Sequence, residues 1–267
     1  MRKLKTGAVA RRSFGLLLDI PFLVRATGLW LVLLILGFLA ISRLPAEHNL
    51  IADVAYSLLL AIAAAAWAVN VHRFILLREA PAPLRVKWRE IHYILRAIWI
   101  CWPALLVMAA IGVLIAIFWH SRPPPEVFTA SPIGRAAAWG IGGLILFVIV
   151  VPLALSLPAL AIGNKRFRPV DGFDAIAGNL WPFLAAYFLV VFLPSTLLSL
   201  ASTMLGKHAD PAGLVSDSVA RGIDVVASLI GTVLFAALLS CTYAGLVLQD
   251  SEFASETLEG GEIRSPS

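Results

Sequence analysis

The stretch VAYSLLLAIAAAAWAVNVHRF, residues 54–74, decides the fold. It carries one formal charge, Arg73, and that charge sits at its end. A helix of about 17–25 mostly apolar residues crosses the ~30 Å hydrocarbon core of a bilayer. In lipid every backbone N–H and C=O must be satisfied inside the structure, which a helix does by itself. A membrane barrel would instead need ~10-residue strands of alternating polarity, and this stretch does not alternate. It reads as a transmembrane helix that ends on a basic flank.

Outward from it lie five more blocks of the same kind: residues 26–42, 97–119, 136–163, 180–205 and 225–248. Hydrophobic residues make up 60% of the chain and charged residues 14%. Soluble domains sit near one-half and about one-quarter, so the excess belongs to the blocks. The expectation is an all-α polytopic membrane protein with six transmembrane helices. Residues 1–249 form its single membrane domain. Residues 250–267 form an acidic tail, with Asp250, Glu252, Glu256, Glu259 and Glu262 and too few apolar residues to fold on its own.

Lys and Arg set the orientation, because cytoplasmic loops carry the excess. The N-terminus, the second and fourth loops and the tail hold fifteen of them, and the first, third and fifth loops hold five. Both termini are therefore expected in the cytoplasm. The net charge of +5 is explained by these flanks rather than by nucleic acid. Arg11-Arg12-Ser13-Phe14 has some likeness to a twin-arginine export signal, but no small-x-small cleavage site follows the first block, so that block is expected to be retained.

Three segments lead into the odd-numbered blocks. In the second loop Pro81-Ala82-Pro83 is expected to end the preceding helix. Leu84, Trp88, Ile91, Leu95 and Ile98 then recur at helical spacing beside Arg85, Arg89, His92 and Arg96. This pattern suits a short helix lying in the headgroup region. Residues 12–23 and 171–180 have a similar character, with Asp171 a candidate N-cap. The chain thus reads as three repeats of lead-in helix, span, outer loop and span. The third loop, His120-Ser121-Arg122-Pro123-Pro124-Pro125, reads as a stiff external connection.

Charge inside a membrane is the best hint of function. No Asp, Glu, Lys or Arg falls near the middle of any block, which disfavours an ion-coupled pump with a carboxylate relay. Arg73, Arg85, Arg89 and Arg96 are candidates for contact with lipid phosphate, or for ordinary interfacial anchoring. Ser195, Ser199 and Ser202, with Thr203, share one helical face after Pro194. They would line a pathway or hydrogen-bond between helices. Pro152 and Pro158 interrupt the fourth block as Pro194 interrupts the fifth. Ala61 to Ala68, Ala136-x-x-x-Gly140 and Ala227-x-x-x-Gly231 are helix-packing signals. Cys101 and Cys241 lie in apolar blocks and read as small buried residues rather than a disulfide or zinc pair. Histidines 48, 72, 92, 120 and 208 show no metal spacing. The motifs of rhomboid, prenyl-protease and zinc-protease chemistry do not occur, so neither an enzyme nor a cofactor is expected.

Trp67-Ala68-Val69-Asn70-Val71-His72-Arg73-Phe74-Ile75-Leu76-Leu77-Arg78-Glu79 resembles the W-H-R-F-x-L-L-G-E stretch of six-span inner-membrane proteins of alphaproteobacteria. Asn70-Val71 stands where that group has a small residue and Trp, and Arg78 where it has Gly. The segment Phe173 to Trp181 is similar to a shortened form of the group's A-x-x-x-S-W-x-L-T-x-G-N-x-W helix. The wider group includes the membrane domain of some glycerophosphodiester phosphodiesterases, whose hydrolase domain has no counterpart here. The resemblance implies an inner-membrane protein without assigned chemistry. The function expected is that of a non-enzymatic scaffold or lipid-interacting module, with a permease for an uncharged or amphipathic solute as the alternative. Its partners are expected to be membrane lipids with anionic headgroups, and a second protein or a second copy of the chain.

Overall fold

The computed structural model describes residues 3–41, 49–82, 88–121, 147–208 and 214–248. All regular structure among the described residues is helical. The helices are α1 (Thr6–Leu18), α2 (Ile20–Ile41), α3 (Asn49–Leu77), α4 (Trp88–Ser121), α5 (Ser156–Ile162), α6 (Asp171–Ile176), α7 (Leu180–Tyr187), α8 (Leu193–His208) and α9 (Leu214–Tyr243). Residues 147–154 are helical and run through a turn at Leu155 into α5. Two π-turns, Phe188–Phe192 and Ala244–Leu248, join α7 to α8 and extend α9. The acidic tail, Arg85, the third loop from Arg122 onward and Ala136 with Gly140 lie outside the described residues, while His120 and Ser121 end α4.

Four described helices are long and apolar enough to cross a membrane: Ile20–Gly37, Val54–Leu77, Leu180–Leu198 and Val225–Leu248. Of the other two expected spans, block 97–119 lies within α4, and block 136–163 is described only as the shorter apolar helix Phe147–Ile162.

Several boundaries differ from the sequence expectation, each for a local reason. The first lead-in segment is divided between two helices. Asp19 ends α1 and caps α2, its Oδ1 accepting the Phe22 N–H at 3.0 Å, and Pro21 sits in the first turn where a missing N–H costs nothing. The helix before Pro81 ends earlier than the prolines. Arg78 takes a left-handed backbone (φ 54°) and turns the chain out of α3. α4 is one helix of 34 residues, so the described part of the second lead-in is continuous with its span. At ~1.5 Å per residue it is about 50 Å long, which leaves several turns outside ~30 Å of hydrocarbon. Asp171 does not cap α6. It opens the helix, and its Oδ2 accepts the Arg168 backbone N–H at 2.7 Å.

The proline interruptions are absorbed rather than opened. Pro194 lacks an N–H, and the turn before it widens into the π-turn at Phe188–Phe192. In the fourth block the Ser156 hydroxyl donates to the Leu153 carbonyl at 2.8 Å, between Pro152 and Pro158.

α3, α5 and α9 pack together at the centre. Of the four long apolar helices α9 is the most enclosed, with 56% of its apolar stretch buried against 28% for α2. α2 pairs antiparallel with α3. Phe22 packs on Phe74 at one end (ring centroids 4.3 Å), and Gly37 meets Leu59 at the other. Gly231 of α9 faces Ser195 of α8, as the small-residue spacing suggested, and a Cβ there would lie 3.2 Å from the Ser195 Oγ.

The three lead-in segments pack in a cycle. α1 lies on α9, where Ser13 sits beside Cys241. The first turns of α4 lie on α3. α6 lies on the helix of residues 147–154, so close that a Cβ on Gly172 would meet the Pro152 carbonyl oxygen at 1.9 Å. Only glycine permits that approach.

A left-handed residue other than glycine costs roughly 1–2 kcal/mol. Arg78→Gly is therefore expected to be more stable than Arg78→Ala by about 1 kcal/mol, the alanine control removing the same side chain but keeping the strain. Unfolding in mixed micelles measures it. Equal stabilities would place the cost elsewhere.

Candidate functional site

The ends of α3, α5 and α9 and the starts of α2, α4 and α7 converge on one side, the basic end. Its polar side chains form a set of bonds between helices.

His72 is at the middle of it and is fully buried. Its Nδ1 lies 2.7 Å from the Ser240 Oγ of α9, and its Nε2 lies 2.9 Å from the Tyr93 hydroxyl of α4. Ser240 has one proton, and it donates this to the Ala236 carbonyl one turn back at 2.8 Å. Nδ1 must then carry the imidazole proton and donate to Ser240. Nε2 is left as the acceptor for Tyr93. Direction is thus fixed along the chain Tyr93, His72, Ser240, Ala236, and each donor has an acceptor. A nucleophilic serine needs the opposite arrangement, with histidine accepting from it. As built, the trio fastens three helices and leaves no ring nitrogen unused.

Beside it the Arg73 Nε donates to the Glu79 carboxylate at 2.9 Å, and Nη2 donates to the same group. Nη1 donates to the Ala161 carbonyl of α5 at 3.1 Å. One guanidinium thus holds both the turn after α3 and the end of α5. The side-chain amide of Asn70 pairs twice with Ala82, donating to its carbonyl and accepting from its N–H, both at 3.3 Å, and so ties the proline segment back onto α3. Asn164 donates to the Tyr243 hydroxyl at 2.8 Å, linking α5 to α9. The Leu4 N–H donates to Asn179 at 2.7 Å and the Thr6 hydroxyl to the Pro182 carbonyl at 3.1 Å, which moors the start of α1 on α7.

Outward, α4 presents Trp88, Ile91, Leu95, Ile98, Trp99 and Trp102, all exposed, while Glu90, Tyr93 and Ile100 face the core. His92 turns its Nδ1 to the Trp88 carbonyl at 2.8 Å. Among the described residues no three His, Cys, Asp or Glu side chains stand close enough to hold a metal.

The structure gives the residues singled out by sequence different surroundings. Arg73 directs its guanidinium inward, to Glu79 and Ala161. Arg96 lies half-exposed on α4. Arg85, and the side chains of Arg89, Ser199 and Ser202, lie outside the described set. Ser195 is half-buried against Gly231, the position of a helix-packing hydroxyl. The sequence reading missed the trio itself. The available signal was a His and a Ser inside apolar blocks, where each needs a protein partner. Nothing in a single sequence pairs positions 168 residues apart.

Tyr93→Phe and Ser240→Ala should each destabilise the protein by about 1–2 kcal/mol. The double variant should cost less than the sum of the two, because both bonds act through one imidazole. A double-mutant cycle on unfolding free energy measures this, and strict additivity would mean that His72 does not couple them. No protein-family description, curated protein or solved structure matches this chain.

Proposed function

We propose that this chain is a six-span inner-membrane protein with both termini in the cytoplasm. It acts as a non-enzymatic scaffold whose basic end engages anionic lipid. The observation that carries the reading is the division of labour on α4. Its inward face, Tyr93 and Glu90, is buried, Tyr93 being bonded to His72. Its outward face offers three tryptophans and three aliphatic residues, with Arg96 beside them. Tryptophan is favoured at the membrane–water boundary. The ~50 Å length of α4 extends its basic first turns to that level. The excess of Lys and Arg in the loops at this end supports the orientation.

Each basic residue near an anionic surface contributes ~1 kcal/mol, or roughly fivefold in local lipid occupancy. The protein extracted with its surrounding lipid from a membrane of mixed composition should therefore be enriched in phosphatidylglycerol over the bulk. Arg89→Gln with Arg96→Gln should lower that enrichment measurably. A lipid shell matching the bulk would defeat the lipid reading. Cysteines placed at the two termini should react with impermeant thiol reagents only from the cytoplasmic side, and reaction from outside would reverse the orientation.

A further inference from the structure

We propose that the basic end carries three quasi-equivalent docking sites for anionic phospholipid, one at each seam where a lead-in segment crosses onto the neighbouring repeat. The proposal rests on the lipid reading above and adds to it a location and a number.

Each seam is closed on its inner side by contacts already described: Ser13 at Cys241, Tyr93 at His72, and Gly172 on Pro152. On its outer side each has the same two components. On α1, Arg11, Phe14 and Leu18 follow one helical face, with Ile20 just beyond; all are exposed, Leu18 at 81%. On α4 the set is His92, Arg96, Trp88 and Leu95, with Trp88 72% exposed. At the third seam Lys165, Arg166 and Arg168 precede Val170, Phe173 and Trp181, with Trp181 71% exposed. Arg168 also reaches Asp171 at 3.4 Å, a long and exposed pair that leaves it open to a stronger anion.

An anionic phospholipid fits both components. Its phosphate answers the cation, and its acyl chains cover the apolar side chains. A free phosphate would satisfy only the first, and a neutral lipid only the second. The cyclic packing supplies the number, because the three segments differ in secondary structure yet each crosses onto the second span of another repeat.

The full-length protein, released from bilayers containing equal phosphatidylglycerol and phosphatidylcholine, can be weighed intact with its retained lipids. Phosphatidylglycerol adducts should reach a plateau of three per chain, with phosphatidylcholine absent from the plateau. Arg11→Gln, Arg96→Gln, and Lys165→Gln with Arg166→Gln and Arg168→Gln should each lower the plateau to two. The corresponding Arg→Lys variants, which keep the charge, should retain three and exclude a folding artefact. Preference for phosphatidylglycerol with a plateau other than three, or with no loss in the neutral variants, would overturn the seams and leave the lipid reading standing. Equal retention of both lipids would overturn both.

Discussion

The imidazole of His72 has only protein around it. Both nitrogens must find partners there, because a buried polar group left unmatched costs more than a made bond gains. The partners come from α4 and α9, 21 and 168 residues away. This one requirement fixes how three helices meet at the basic end. The same constraint recurs around it. Arg73 joins α3 to α5, Asn164 joins α5 to α9, and His72 joins α3 to α9, so the three helices are fastened to one another pairwise. Lipid would make each of these groups expensive if the helices parted. The fold is therefore held at this end by polar bonds and along its length by apolar packing.

Fastening α3, α5 and α9 in the centre leaves the lead-in segments outside them. The chain leaves α3 and α5 at the head of the bundle, and the segments that follow, the start of α4 and α6, fold back over the helices they left. α1 is the first element of the chain and lies instead on α9. The beginning of the described chain is held there through Ser13 and Cys241, and to the start of α7 through Leu4 and Asn179. Gly172 marks how tight the crossing is, since its neighbour is backbone and cannot give way.

The all-helical form and the four long apolar helices were legible in the sequence, because burial in hydrocarbon depends on composition and length. The contact of Gly231 with Ser195 was legible for the same reason that small residues recur at helix interfaces. The boundaries were not. Asp19 serves as a cap and Asp171 does not, although both are acidic residues before apolar runs. The difference lies in which neighbouring N–H is left open. Arg78 adopts a conformation that its residue type disfavours, so propensity pointed to the prolines that follow. Pro103 leaves α4 unbroken. The candidate arginines and serines were chosen by spacing, which places residues on a helix face but does not say what that face meets. Arg73 met a carboxylate and a carbonyl, and Ser195 met a glycine.

Helix ends of both signs meet at the basic end. The C-termini of α3, α5 and α9 all lie there. Each helix C-terminus carries about half a negative charge from its unpaired carbonyls. The starts of α2, α4 and α7 lie beside them and carry the opposite sign, so the ends largely offset one another and what counts is direct contact. Arg73 makes such a contact, since the carbonyl it binds, Ala161, belongs to the last turn of α5.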